Sequence, residues 1–203
     1  MKKIIIIIII FCLLSCNDKK TNHYEELNTK TFEKFDLKRF NDNKKDSTYE
    51  YFSKDTIIRL YEEKDHYRKE LITDNYSFKS TFIYNKTTHL LLNQFSVFYG
   101  MPIRIWKKYD ENGNLISIKD YDKGFDFTVN NLIVMLKKEF QIDLINDNAY
   151  QSLLISRSSY KRFYFINRNC YLIQISTISE TRIMKIDGET GEIINDKTSF
   201  TEE

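Results

Sequence analysis

Residues 100–124 read GMPIRIWKKYDENGNLISIKDYDKG, and this stretch predicts one complete β-hairpin bounded by glycines. The runs at 103–109 and 115–121 are rich in β-branched and aromatic side chains, which suit a pleated and half-buried surface. Gly113 lies between the two runs and can adopt the positive φ of a tight turn without steric cost. We therefore expect two antiparallel strands joined by a short loop at Gly113.

Two registers are possible for this hairpin, and cross-strand side-chain pairs distinguish them. A two-residue loop would place Trp106 opposite Lys119, whereas a three-residue loop over residues 111–113 places Trp106 opposite Ile118. Matched pairs contribute roughly 0.2–1 kcal/mol each. The three-residue loop gives more of them, so the sequence favours it. Its other pairs are Tyr109–Leu115, Arg104–Asp120 and Ile103–Tyr121.

The spacing of glycines and aromatic residues in this stretch is similar to that of a known repeat. Gly100 is followed by Trp106, Tyr109 and Gly113, and the unit closes on Gly124. This pattern resembles the MORN-variant repeat of a bacterial antitoxin-like family, which also occurs in small envelope lipoproteins. The resemblance implies stacked hairpins and a non-catalytic protein that contacts a partner, with immunity to a toxin as one version.

The region before the hairpin has a similar periodicity. Strand-like runs end at Tyr61, Tyr84 and Tyr109, which lie 23 and 25 residues apart. Regular spacing of this kind predicts hairpins that stack in one antiparallel meander, each burying its face against a neighbour. Residues 90–99 form the most apolar stretch of this region, and we expect them to be a central strand.

The N-terminus predicts export and a lipid anchor. Lys2 and Lys3 precede an apolar run of 11 residues at 4–14, which is shorter than the about 20 residues of a membrane-spanning helix and is typical of a signal peptide. Residues 13–16 read Leu-Leu-Ser-Cys and resemble the bacterial lipobox. That resemblance implies cleavage after residue 15 and acylation of Cys16; the alternative is an uncleaved short anchor.

Two acyl chains on Cys16 would give stable membrane attachment, since each buried CH₂ contributes about 0.8 kcal/mol. Asn17 follows the cysteine. An aspartate at that position is the retention signal of the inner membrane in some bacteria, so its absence favours the outer membrane. We expect residues 16–47 to be a polar tether, in which Phe32, Phe35, Leu37 and Phe40 could form a helical turn or a strand docked on the domain. Order is expected to begin near Phe32.

Composition limits the classes of function. Without residues 1–15 the chain carries 29 basic and 29 acidic side chains, and this neutral balance argues against nucleic acid as a partner. Cys170 is then the only thiol besides Cys16, and its position at the start of a strand-like run predicts a small buried side chain rather than a nucleophile.

The hydrophobic period changes after Gly124. Apolar residues at Val129, Leu132, Leu136 and Phe140, with Ile133 between them, form one helical stripe. We expect a helix over residues 128–140 that packs on a sheet, with Asp126 or Thr128 as its N-cap. Strand-like runs follow at 153–156, 163–167, 171–177 and 182–187.

Residues 187–191 read DGETG and predict a hairpin turn near the C-terminus. The succession of strand, turn and short strand resembles the end of PepSY-type domains, which implies one helix packed on a small antiparallel sheet. Asp187 and Glu189 could suggest calcium, but the run lacks the alternating carboxylates of a calcium loop, so the turn is preferred.

No motif in the chain specifies a reaction. His23, His66 and His89 have no helical partner at i+4, and neither a nucleophile elbow nor a phosphate loop occurs. A basic, polar patch lies between the late strands and suits a solvated strand edge or, as the alternative, a site for an anion or an acidic partner. It consists of Arg157, Ser158, Ser159, Arg162 and Arg168.

The sequence therefore predicts an α+β fold: an antiparallel meander over residues 48–125, continuous with a helix and a small antiparallel sheet over residues 126–203. The favoured function is a lipid-anchored binding module of the bacterial envelope, attached through Cys16, with an unknown protein partner and without cofactor or metal. A small envelope hydrolase and a structural lipoprotein are the alternatives.

Overall fold

The computed structural model describes residues 30–73, 77–145, 150–163 and 166–200, and most of its first half is one seven-stranded antiparallel sheet. Each strand pairs with its neighbours in sequence, so the predicted meander is confirmed. The strands are β1 (Thr48–Ser53), β2 (Thr56–Glu62), β3 (His66–Thr73), β4 (Phe78–Asn85), β5 (Leu91–Phe98), β6 (Met101–Tyr109) and β7 (Leu115–Asp120).

The hairpin connection after β6 matches the sequence prediction at its loop. The Gly113 amide donates to the Asp110 carbonyl (3.0 Å), and the Asp110 amide donates to the Asn114 carbonyl (2.9 Å). Gly113 has a φ of +83°, and Tyr109 lies opposite Leu115. The three-residue loop with a left-handed glycine is therefore confirmed.

The predicted register is wrong beyond that first pair. Ile116 is an extra residue in β7, and after this bulge Trp106 lies opposite Lys119 instead of Ile118. The bulge leaves Ile116 itself exposed and keeps Ile118, opposite Lys107, on the face that carries Tyr109. The bulge thus places Lys107 and not Trp106 opposite Ile118, so the cross-strand pairs on which the prediction relied do not set the register. Its pairs Arg104–Asp120 and Ile103–Tyr121 do not form either; Asp120 lies opposite Ile105.

The predicted helix is present as α2 (Val129–Phe140), the second of two helices that the structure describes. Thr128 is its N-cap and accepts a hydrogen bond from the Asn131 amide (3.2 Å). Val129, Leu132 and Leu136 are buried, while the apolar side chains of Ile133 and Phe140 are partly buried against the same core cluster. The amphipathic stripe therefore packs on a sheet as expected.

A second antiparallel sheet follows α2 in the order β11-β10-β9-β8. Its strands are β8 (Ser152–Phe163), β9 (Ile166–Ser176), β10 (Glu180–Asp187) and β11 (Ile193–Phe200). The predicted strand at 163–167 is wrong, because β8 ends and β9 begins within that run. Both sheets and α2 together confirm the α+β fold.

One apolar cluster joins the two sheets. Phe98, Met101 and Ile103 at one end of the first sheet lie in the same buried cluster as Leu132 of α2 and Ile173 of β9. This contact explains why the chain needs both halves to bury their apolar faces.

Residues 30–47 lie against the first sheet, although the sequence predicts a tether there. The Phe35 amide donates to the His89 carbonyl (2.9 Å), and Phe35 and Phe40 are buried in a second cluster with Tyr67 and Tyr84. Phe40 belongs to the first helix, α1 (Leu37–Asn43). Both docked forms that the sequence suggests are present: residues 30–34 pair with the sheet through β-bridges at Asn114 and Leu90, and α1 follows as a short helix. Packing therefore begins well before residue 48.

Candidate ligand-binding cleft

The seven-stranded sheet has one face that packs and one that is open. Strand alternation places Leu60, Tyr84 and Tyr109 on the packed face, in the second cluster. The opposite face carries Phe95 and Trp106, which are half-buried although neither belongs to an apolar cluster of the described residues. The open face is therefore where this sheet presents side chains to another molecule.

A cleft of about 320 Å³ lies on the open face where β5, β6 and β7 run side by side. Its side chains form two rows across the three strands. The polar row consists of Asn93, Lys108 and Ser117, and the aromatic row consists of Phe95, Trp106 and Lys119. The rows lie about 7 Å apart, which is the rise of two residues along a strand.

Trp106 is held firmly in the aromatic row. Its indole Nε1 donates a hydrogen bond to the Ser96 carbonyl (3.0 Å). Its ring centroid lies 5.2 Å from that of Phe95 and 4.5 Å from that of Tyr121. With the N–H used inside the protein, the ring offers its apolar surface to the cleft.

Lysines contribute positive charge to the cleft, which Lys107, Lys108 and Lys119 line. Lys108 is exposed, and the ammonium of Lys119 lies 4.2 Å from the centroid of the Tyr121 ring. Among the described residues, no carboxylate lies within ion-pairing distance of Lys108 or Lys119, and none of those lining the cleft is acidic. The cleft therefore combines apolar ring surface with uncompensated positive charge.

Elsewhere on the same face the basic side chains are paired. Glu70 is 5% exposed, and its carboxylate accepts from Arg68 (3.2 Å) and lies 3.6 Å from the Lys79 ammonium. Burial, followed by the charge of Glu70, raises the pKa of the Tyr61 hydroxyl, which donates to the same carboxylate (3.4 Å). A cavity of about 300 Å³ adjoins this group, but its charges are already balanced within the protein.

Backbone irregularities shape the cleft. Arg104 has a φ of +61°, and its carbonyl accepts a hydrogen bond from the Tyr121 amide (3.0 Å). The β5–β6 register shifts at this point, and the Ile116 bulge in β7 brings Lys119 beside Trp106. Sequence reasoning did not identify this site, although a single tryptophan followed by two lysines was a usable signal.

The predicted basic patch has a structural role at Arg157. Its side chain is only 11% exposed, and its guanidinium donates to the carbonyls of Pro102 (3.0 Å) and Tyr121 (2.7 Å) and to the Asp122 carboxylate (2.8 Å). It also lies 4.2 Å from the Phe125 ring centroid. The solvated-edge interpretation is therefore wrong for Arg157, which joins β8 to the first sheet.

Asp187 and Cys170 are both fully buried. Asp187 accepts hydrogen bonds from the Tyr160 hydroxyl (2.6 Å) and from the amides of Glu189 and Thr190 (2.9 Å each). Burial alone would raise the pKa of Asp187, but these hydrogen bonds outweigh it and lower the pKa. The carboxylate thus organises the predicted turn.

Burial raises the pKa of the Cys170 thiol, which fits its predicted role as a small core side chain.

The remaining candidates are not brought together. Cys16 and His23 lie outside the described residues, while His66 begins β3 and His89 lies in the β4–β5 turn. Within residues 30–73, 77–145, 150–163 and 166–200, no group of histidine, cysteine and acidic side chains could hold a metal ion. Neither of the two helices described is long and apolar enough to cross a membrane.

Comparisons with protein-family models, with curated proteins and with solved structures found no significant match to this chain.

Proposed function

We propose that this chain is a lipid-anchored, non-catalytic binding module of a bacterial cell envelope. In this proposal acylated Cys16 attaches the protein to the membrane, with the outer membrane as the favoured location. The open face of the seven-stranded sheet then contacts another component of the envelope.

The observation that carries the proposal is the cleft at Trp106. Aromatic residues fixed in a partly desolvated depression are the typical anchors of binding surfaces. Trp106 is such a residue, because Ser96 and the rings of Phe95 and Tyr121 hold it in place. Lys108 and Lys119 beside it supply charge that has no ion-pair partner among the described residues.

A protein is the first partner to search for. Resemblance of residues 100–124 to the antitoxin-like repeat makes an immunity protein one version of the proposal, in which the bound partner would be a toxin. Attachment through Cys16 would keep the binding face close to the membrane, where an incoming or resident partner could be met.

The test is a crosslinking pull-down from the native host with the full chain tagged at its C-terminus. We expect one stoichiometric partner for the wild type and its loss in the Trp106→Ala variant. Phe200→Ala is the matched control, since Phe200 is 74% exposed on the second sheet. Cys16→Ala should move the protein from the membrane fraction to the soluble fraction.

Two outcomes would contradict the proposal. Equal recovery of partners by wild type and Trp106→Ala would exclude the open face at Trp106 as the contact. Retention of Cys16→Ala in the membrane fraction would exclude the lipid anchor.

A further inference from the structure

We propose that the Trp106 cleft binds a carboxylated pyranose ring, that is, a unit of an acidic saccharide. This inference rests on the proposed function in using the same cleft, and it adds the chemical class of the ligand. It is carried by the juxtaposition of the aromatic row with Lys108 and the polar side chains of Asn93 and Ser117.

The aromatic row suits the flat face of a sugar ring. An aromatic ring is electron-rich on its face, which attracts the weakly positive C–H groups of a pyranose. The Trp106 N–H already donates to the Ser96 carbonyl, so the indole has no hydrogen bond left to direct toward a polar ligand atom. Its remaining contribution to the cleft is apolar contact across the ring.

The lysines account for the carboxylate. Lys119 stands in the aromatic row and Lys108 in the polar row, and both line the cleft together with Trp106. No acidic side chain lines the cleft among the described residues, and an anionic ligand would therefore meet attraction without repulsion. Asn93 and Ser117 can donate to and accept from hydroxyl groups.

The dimensions favour a small ring over a broad protein contact at this point. A volume of about 320 Å³ lies at the lower end of the range for small-ligand pockets, which is roughly 300–1,000 Å³. A stable protein interface instead covers about 800 Å² on each partner. A protein partner could still use the surrounding face, so the two contacts are compatible.

The experiment titrates four probes into the full chain, purified in detergent micelles with its anchor. They are trigalacturonate, galacturonate, maltotriose and triglutamate. Trp106 is the only tryptophan in the chain, so its fluorescence reports this cleft directly, and calorimetry gives the affinity independently. We expect trigalacturonate to bind at least tenfold more tightly than maltotriose or triglutamate. Tighter binding of trigalacturonate than galacturonate would identify a polymer, and equal binding a free sugar acid, as the source of the ring.

Two variants and one control test the assignment of charge. Lys108→Gln and Lys119→Gln should each weaken trigalacturonate binding about fivefold, as expected for a partly exposed charge contact. Lys54→Gln, in the exposed β1–β2 turn, should leave the affinity unchanged. Raising the ionic strength should weaken binding to the wild type and have less effect on either cleft variant.

Every other result overturns the inference. Equal binding of triglutamate would show an acidic peptide site, equal binding of maltotriose would show that the lysines do not select the ligand, and no fluorescence change with any probe would exclude the cleft. Such a failure leaves the proposed function to its own test, because the pull-down with Trp106→Ala does not depend on a saccharide.

Discussion

Replacing Arg157 should destabilise the whole protein, because this side chain connects the two sheets. It extends from β8, contacts the carbonyls of Pro102 and Tyr121, and pairs with Asp122, all of which lie on the side of the first sheet. Arg157→Met keeps most of the aliphatic stem and removes the guanidinium. The variant therefore tests the polar connection more than the packing of the stem.

The expected loss is about 3 kcal/mol in the free energy of unfolding. Hydrogen bonds to a charged group contribute roughly 1.5–3 kcal/mol each, and four are lost, of which the one to the Tyr171 hydroxyl is long (3.5 Å). Two effects reduce the sum: Asp122 is 47% exposed and can be rehydrated, and the Arg157 Nε has no hydrogen-bond partner among the described residues. Arg157→Lys keeps the charge but not the planar fork, so we expect about half the loss.

Urea unfolding of the chain without residues 1–16 measures this effect. Trp106 fluorescence reports the first sheet, and far-ultraviolet circular dichroism reports both sheets. Because one buried cluster joins the sheets, the two signals should give the same midpoint in the wild type. Lys161→Met, an exposed position on the same strand, is the control and should change the free energy by less than about 0.5 kcal/mol.

The reasoning fails if Arg157→Met is as stable as the Lys161→Met control. It fails in a different way if Arg157→Lys matches the wild type, since a single ammonium would then be sufficient. Separate midpoints for fluorescence and circular dichroism would show that the two sheets unfold independently and that the shared core contributes little.

Two further predictions concern the turn glycines and acid stability. Gly113→Ala should lower the free energy of unfolding by about 2 kcal/mol, because φ is +83° and the new Cβ would lie 2.6 Å from the Thr31 carbonyl oxygen. Gly100→Ala, with a φ of +79° and open space around the new Cβ, should lower it by about 1 kcal/mol. Urea unfolding of the two variants measures this difference. The Arg182 guanidinium donates to Asp196 (2.9 and 2.6 Å) and lowers the pKa of that carboxyl. This stabilisation is present above about pH 4 and is lost as the pH falls through the lowered pKa. Asp196→Asn should therefore be about 1 kcal/mol less stable than the wild type at pH 7, and the difference should disappear in acid. A constant difference across pH would contradict the assignment.

Local patterns predicted the elements whose signals are confined to adjacent residues. The apolar stripe from Val129 to Phe140 defines α2 to within one residue, and Thr128 caps it as one of the two candidates. The loop at Gly113 also follows from its own residues, since a left-handed glycine and a flanking aspartate suffice to form it. In each case the stabilising contacts lie within a few positions along the chain.

Features that depend on distant residues were not predictable in the same way. Arg157 reads as a surface residue in sequence, because nothing near it indicates that Pro102 and Tyr121 will supply carbonyl acceptors. The run at 163–167 reads as one strand, because its apolar residues suit both sides of a reversal equally well. The division comes from the long antiparallel pairing of β8 with β9 on its two sides.

The Ile116 bulge connects this limit with the candidate site. Without the extra residue, Ile118 would stand beside Trp106 on the open face, and Lys119 would point to the face that carries Tyr109. The bulge reverses this arrangement, since Trp106 lies opposite Lys119. One unpaired, exposed residue therefore changes an apolar pair into an aromatic–cation pair. A register chosen only by cross-strand matching removes Lys119 from the face of Trp106 and keeps Lys108 there. The pairing of Trp106 with Lys119 therefore depends on a bulge that the hairpin sequence alone does not specify.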